Sequence, residues 1–153
     1  MMQSRRIDPL LRRAQEKEDA VARDLAERQR TLAMHESRLE ELRRYADEYA
    51  GSQMAATSPA QLANRRAFLD RLDNAVQQQA QTVDRSRASV DIERDRLLLA
   101  SRDKQVLEQL AASYRVQEHQ VVERRNQREM DDLGARRARL AATAAAEETE
   151  ESK

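Results

Sequence analysis

Helix-breaking residues are the scarcest feature of this chain, and where they fall limits what it can fold into. Among 153 residues there are two glycines, Gly51 and Gly134, and two prolines, Pro9 and Pro59. Gly51 and Pro59 bracket a short stretch of small and polar residues, "SQMAATS". The long runs on either side are dominated by Ala, Glu, Arg, Leu and Gln, all strong helix formers. Charged residues make up 37% and aromatics 3%, with no Trp, which leaves too few bulky apolar side chains for a compact core. Regularly spaced Leu, Val and Ala separate the chain from a disordered polyampholyte and point to long helices or coiled coil.

The spacing carries the fold. Asp8 followed by Pro9 predicts a helix start, with an aspartate to cap free amides and a proline suited to the first helical position. From there one heptad line runs Leu11, Glu18, Leu25, Leu32, Leu39, Ala46 and a second runs Ala14, Val21, Arg28, His35, Leu42, Tyr49. Alternating steps of three and four put both lines on one helix face. Glu18, Arg28 and His35 interrupt that face, so the seam is thin. Ala50-Gly51 predicts a stop through a left-handed glycine. Ser58-Pro59 with Gln61 predicts a restart in capping-box form. The second run carries Leu62, Leu69, Val76, Val83, Val90 and Leu97 at steps of seven. Its weaker companion line is Arg65, Leu72, Gln79, Ser86, Glu93, Ala100, Leu107, Tyr114 and Val121.

Two heptad runs joined by a short segment predict an all-α fold, a long antiparallel two-helix coiled-coil hairpin whose second helix is longer than the first. A parallel dimer of one unbroken helix is the competitor, disfavoured because an interior proline costs about 3 kcal/mol. The expected organisation is an N-terminal segment over 1–8, a first helix over 9–50, a turn over 51–58, a second helix over 59–140 and a flexible alanine-rich, acidic tail over 141–153. The two helices are expected to span roughly 60 Å and 110 Å. With the turn at 51–58, Pro9 should lie opposite a residue near Ala100, leaving Leu107, Leu110, Tyr114, Val116, Val121 and Val122 as an apolar stripe without a mate. Such a stripe reads as a partner surface, or as one partly covered by an N-terminal extension of the first helix through "MMQSRRI".

Several function classes are excluded or weakened. Lys+Arg and Asp+Glu both number 28, so the chain lacks the positive balance that phosphate binding requires, and no nucleic-acid partner is expected. It has no cysteine, hence no thiolate chemistry. The start "MMQSRRIDPLL" lacks the apolar core of a signal peptide, and no window approaches the ~20 apolar residues that span a bilayer. A cytoplasmic protein is expected. His35 and His119 are the only histidines and lie far apart in sequence, so no metal site is expected. Carboxylates abound, but a two-helix coil offers no cavity to desolvate them, so no catalytic residue, no cofactor and no enzyme activity are expected. Basic pairs at 43–44, 65–66, 124–125 and 136–137 are interleaved with acids and read mostly as solvated faces. Near the turn, Arg43, Arg44, Arg65 and Arg66 meet Tyr45 and Phe68, a mixture that binding surfaces favour. Packing of Phe68 over the seam is the equal alternative.

Four segments carry a resemblance. "LRRAQEKEDAVARDLAERQRTL" opens the first helix, "LEELRRYADEY" precedes the turn, and "FLDRLDNAVQQQ" follows it. Near the end, "RRNQREMDDLGARR" is similar to an R-x-E-Q-K-x-x-D-E-x-A pattern, departing from it at Asn126, Arg128, Asp132 and Gly134. In this order the segments resemble FliJ, the small coiled-coil family of the flagellar type III export apparatus, over nearly the whole chain. The resemblance implies a stalk and adaptor that inserts into the hexameric ring of the export ATPase FliI, contacts the export gate protein FlhA, and helps recycle export chaperones. It implies peripheral association with the cytoplasmic face of the inner membrane through that apparatus. It implies a gate contact at Phe68 and Leu72 and an ATPase contact at Leu107, Leu110, Tyr114, Val121, Arg125, Glu129, Asp131 and Asp132. An injectisome stalk homologue is the neighbouring alternative. A cytoskeletal or scaffold coiled coil without an ATPase partner, and a nucleoid-binding helical protein, are alternatives of other kinds.

Overall fold

A computed structural model describes residues 2–52 and 58–152. It contains two helices that pack against each other, α1 (Met2–Gly51) and the longer α2 (Pro59–Glu151). Residues 53–57, the middle of the expected turn, lie outside the described residues. The chain divides into two units. One is Arg13–Lys104; the other joins Met1–Arg12 to Gln105–Lys153.

In the Arg13–Lys104 unit, the helices run antiparallel and the two heptad lines become the seam. Val21, Leu39, Leu72, Val83, Val90 and Ala100 are buried, and Leu25, Leu32, Leu42, Leu69, Val76 and Leu97 are half-buried beside them. Of the three polar interruptions of α1, Glu18 and Arg28 are paired across the seam through their side chains, whereas His35 has a buried Nδ1 with no hydrogen-bond partner among the described residues. Lys104 Nζ lies 3.3 Å from Glu18 Oε1, both side chains about four-fifths covered. Arg28 donates to Ser89 Oγ at 2.9 Å, and Gln79 Nε2 donates to the His35 carbonyl at 3.0 Å. Glu93, 5% exposed, accepts from Arg96 Nη1 one turn along its own helix. A half-buried ion pair tolerates burial because each charge satisfies the other, and it penalises any register that separates them.

The restart of the chain follows local rules. The Gln61 amide donates to Ser58 Oγ at 3.3 Å and the Leu62 amide to the Ser58 carbonyl at 3.2 Å, a serine cap before a proline at the first helical position. The stop of α1 differs from expectation. Gly51 takes no left-handed conformation. The orphan carbonyls are instead met by Arg65 of α2, whose Nη2 reaches the carbonyls of Ser52, Ala50 and Tyr49 at 2.8, 3.3 and 3.5 Å. A guanidinium supplies both donors and the positive charge that a helix C-terminus favours, so a glycine conformation is unnecessary there.

In the other unit, α1 does not begin at Pro9 but seven residues earlier, with Pro9 inside the helix. The reason is tertiary. Ser4 and Ile7 continue the heptad lines of Leu11 and Ala14 backwards and are buried, at 8% and 5% exposure. Opposite them, Tyr114 and Glu118 are half-buried, and one and two turns back along α2 Ala111 is 1% exposed and Leu107 half-buried. The Ser4 amide and hydroxyl donate to the two Glu118 carboxylate oxygens at 3.1 and 2.7 Å, and Asp8 pairs with Arg115 at 3.3 Å. The stripe is therefore mated as far as Glu118 by an N-terminal extension of α1, the alternative that the sequence left open, and every described residue beyond is exposed. The tail also differs from expectation. α2 continues through "AATAAA" to Glu151, alanine being the best helix former, with the Thr143 and Thr149 hydroxyls donating to carbonyls a turn back.

Candidate partner-binding surfaces

Each unit presents one face that its own seam does not use. In Arg13–Lys104 it is aromatic. The Phe68 ring stands edge-on to Tyr49, with centroids 4.6 Å apart, and to Tyr45 at 6.4 Å, the tilted geometry in which a ring edge meets a ring face. Tyr45 is half exposed, and with Leu42, Arg38, Glu41 and Gln79 it lines an open groove. Of the two residues expected at this end, Phe68 is half-buried at the surface of the cluster. Leu72, one turn on, is 8% exposed and turned into the seam. The pair shares a helix face, but only its aromatic member has surface to offer.

In the other unit, the eight expected residues separate into a seam pair, an exposed apolar pair, the charged side chains of one groove, and Asp131. Leu107 and Tyr114 are seam residues, half-buried beside the N-terminal part of α1. Leu110 and Val121 are exposed, and steps of four and eleven from Val106 put all three on one face of α2. Val121, Arg125, Glu129 and Asp132 line a single open groove with Arg124 and Arg128. Arg125 and Glu129 pair along the helix at 3.3 Å, which holds both charges at the groove wall. Asp131 stands apart from that groove and accepts from Gln127 at 3.2 Å. Past the groove, Val122, Leu133 and Leu140 recur at steps of eleven and seven as a second exposed apolar stripe.

Two contact positions were missed by the heptad reading. Ser4 and Glu118 form a close polar contact across their unit, and the carboxyl of Glu118 is lowered from its ordinary 4.5 to about 2, most of all by the Ser4 hydroxyl. The signal was present in the spacing: Ser4 lies one heptad before Leu11, and Glu118 one heptad after Ala111. The Asp8-Pro9 start signal hid the first, and the assumed symmetry of the turn hid the second.

Both surfaces suit binding. Neither has an enclosed polar pocket, and no described helix is long and apolar enough to cross a membrane. The family model of the flagellar FliJ protein matches residues 2–143 of the 153-residue chain. The chain belongs to the FliJ family. Membership makes it a non-enzymatic component of the flagellar export apparatus. It also agrees with the four sequence segments, which lie inside the matched range. No curated protein and no solved structure gives a match.

Proposed function

We propose that this FliJ-family chain is a stalk and adaptor of the export apparatus that binds an export ATPase ring of the FliI kind through the exposed part of α2 and an export gate protein of the FlhA kind through the Phe68 end. The observation that carries the reading is the face on which Leu110 and Val121 meet the charged groove of Arg125, Glu129 and Asp132. Apolar anchors rimmed by paired charges suit a protein partner, since the anchors supply affinity and the rim excludes water. The ATPase contact uses these five residues directly. Asp131 joins it from the adjoining face, and Leu107 and Tyr114 underlie it in the seam. At the other end, Phe68 makes the gate contact and Leu72 supports it from within the coil. The chain performs no chemistry itself. It acts in the cytoplasm, stays peripheral to the inner membrane through the gate, and brings chaperones with their export cargo to both partners.

The test is co-purification with the purified export ATPase, with ATP turnover measured with and without the chain. Retention and an altered turnover are expected, and Val121→Asp should abolish both. An ATPase that neither retains the wild-type chain nor changes its turnover overturns the reading.

A further inference from the structure

The start of α1 carries two conflicting instructions. Local sequence places the helix start at Asp8 and Pro9. The fold extends the helix back to Met2. Proline has no amide to donate to the Arg5 carbonyl, its ring crowds that turn, and it disfavours helical geometry at Asp8. Residues 2–8 are thus joined to the rest of α1 by its weakest link. What holds them helical is contact with α2. Glu118 reaches across to cap α1, taking the Ser4 amide, one of the donors that a helix start leaves unpaired. The Ser4 hydroxyl adds a second bond at 2.7 Å to the same carboxylate, and Ile7 adds a buried apolar side chain. If the contact is lost, the helix can begin again at Pro9 with Asp8 as its cap, at no cost to the remainder of α1.

We infer that residues 2–8 form a strap, helical only while docked, which hinges at Pro9 and covers the seam face of Tyr114 and Glu118. The strap regulates partner binding on this part of α2, an extension that rests on the ATPase contact proposed above. Docked, it keeps Tyr114 half-covered and leaves Leu110, Val121 and the groove for first contact. Released, it adds the seam residues to the bound surface. Among the described residues the hold comprises a cap on a charged carboxylate, an exposed ion pair and a buried isoleucine, which a partner helix can displace.

The chain has no cysteine, so a single introduced thiol reports opening. Ile7→Cys, placed in the full chain at a strap position 5% exposed, is labelled only when the strap lifts. Glu118→Gln in that background should speed labelling about tenfold, the scale of losing a hydrogen bond to a charged group, and Pro9→Ala should slow it. Val90→Cys, buried in the Arg13–Lys104 unit, should label at an unchanged rate with either substitution. Hydrogen exchange on the cysteine-free chain gives an independent readout: the amides of residues 6–8 should exchange faster in Glu118→Gln, with those of 13–20 unchanged. Equal acceleration at Val90→Cys, or labelling and exchange indifferent to Glu118→Gln, overturns the strap. The ATPase arm separates the two ideas. Unchanged ATPase affinity on Glu118→Gln, with labelling accelerated, removes the regulatory role and leaves the contact. An ATPase that never binds the wild-type chain removes the contact and leaves the hinge.

Discussion

Arg65 shows how one side chain can replace a local motif. Its guanidinium meets three carbonyls at the end of α1, so α1 stops without a left-handed glycine. Arg65→Ala should lower the stability of the Arg13–Lys104 unit by about 1 kcal/mol, because bonds to a charged donor are lost at a partly solvated helix end. Arg65→Lys should recover only part of that, since an ammonium is more strongly hydrated than the guanidinium Nη2 that meets all three carbonyls. Thermal or urea unfolding followed by helicity checks both. Glu118 is a titration marker as well as a cap. Its folded-state value lies below the unfolded one, so the docked form gains stability above about 4.5 that is lost as the pH falls towards 2. The carboxyl carbon shift of Glu118 should therefore titrate near 2, and Ser4→Ala should move that midpoint upward towards 4.5. A midpoint that Ser4→Ala leaves in place contradicts the assigned cause.

At the level of the helices, the seam was legible and the helix ends were not. Every position of the two first-helix heptad lines from Leu11 to Tyr49 is buried or half-buried except Arg28, whose long side chain extends to Ser89. Heptad spacing reports a face directly, so the packing of Val83 against the seam could be read without a structure. Register could not, because it depends on how the segment between the helices is built. That is why Asp8 pairs with Arg115 where a symmetric turn puts the first helix start opposite Ala100. The start of α1 was misread for another reason: Asp8-Pro9 is a strong local signal, and the burial of Ile7 and Ser4 outweighs it. The ion pair of Glu18 with Lys104 is the polar pair placed to enforce register in its unit. In a double-mutant cycle, Glu18→Ala and Lys104→Ala should couple by about 1 kcal/mol, more than the few tenths of an exposed pair such as Arg44 with Glu40. Coupling no larger than that of the exposed pair would show that register is set by shape alone.

For the molecule as a whole, the separation of stability from binding decides whether a FliJ-family chain of this composition can serve as an adaptor. A seam made of single layers of Val, Leu and Ala leaves little apolar surface to spare, so contact residues cannot also be seam residues without cost. Leu72 is the case where the two roles collide. Leu72→Ala should destabilise the coil by about 2–3 kcal/mol, the scale of truncating a buried leucine, and any effect on gate binding should follow that loss. Phe68→Ala, at a half-buried site, should cost less stability and more gate binding. Val121, at 64% exposure, tests the converse. Val121→Asp should leave the unfolding midpoint within about 0.5 kcal/mol of wild type, as surface changes do, while ATPase retention disappears. A charge there disturbs no seam, but it removes the apolar anchor and puts beside Arg124 and Arg125 a carboxylate that a partner would have to desolvate. If Val121→Asp lowers stability and binding together, the exposed part of α2 is packed against something of its own, and the surface assigned to the ATPase is not free to bind it.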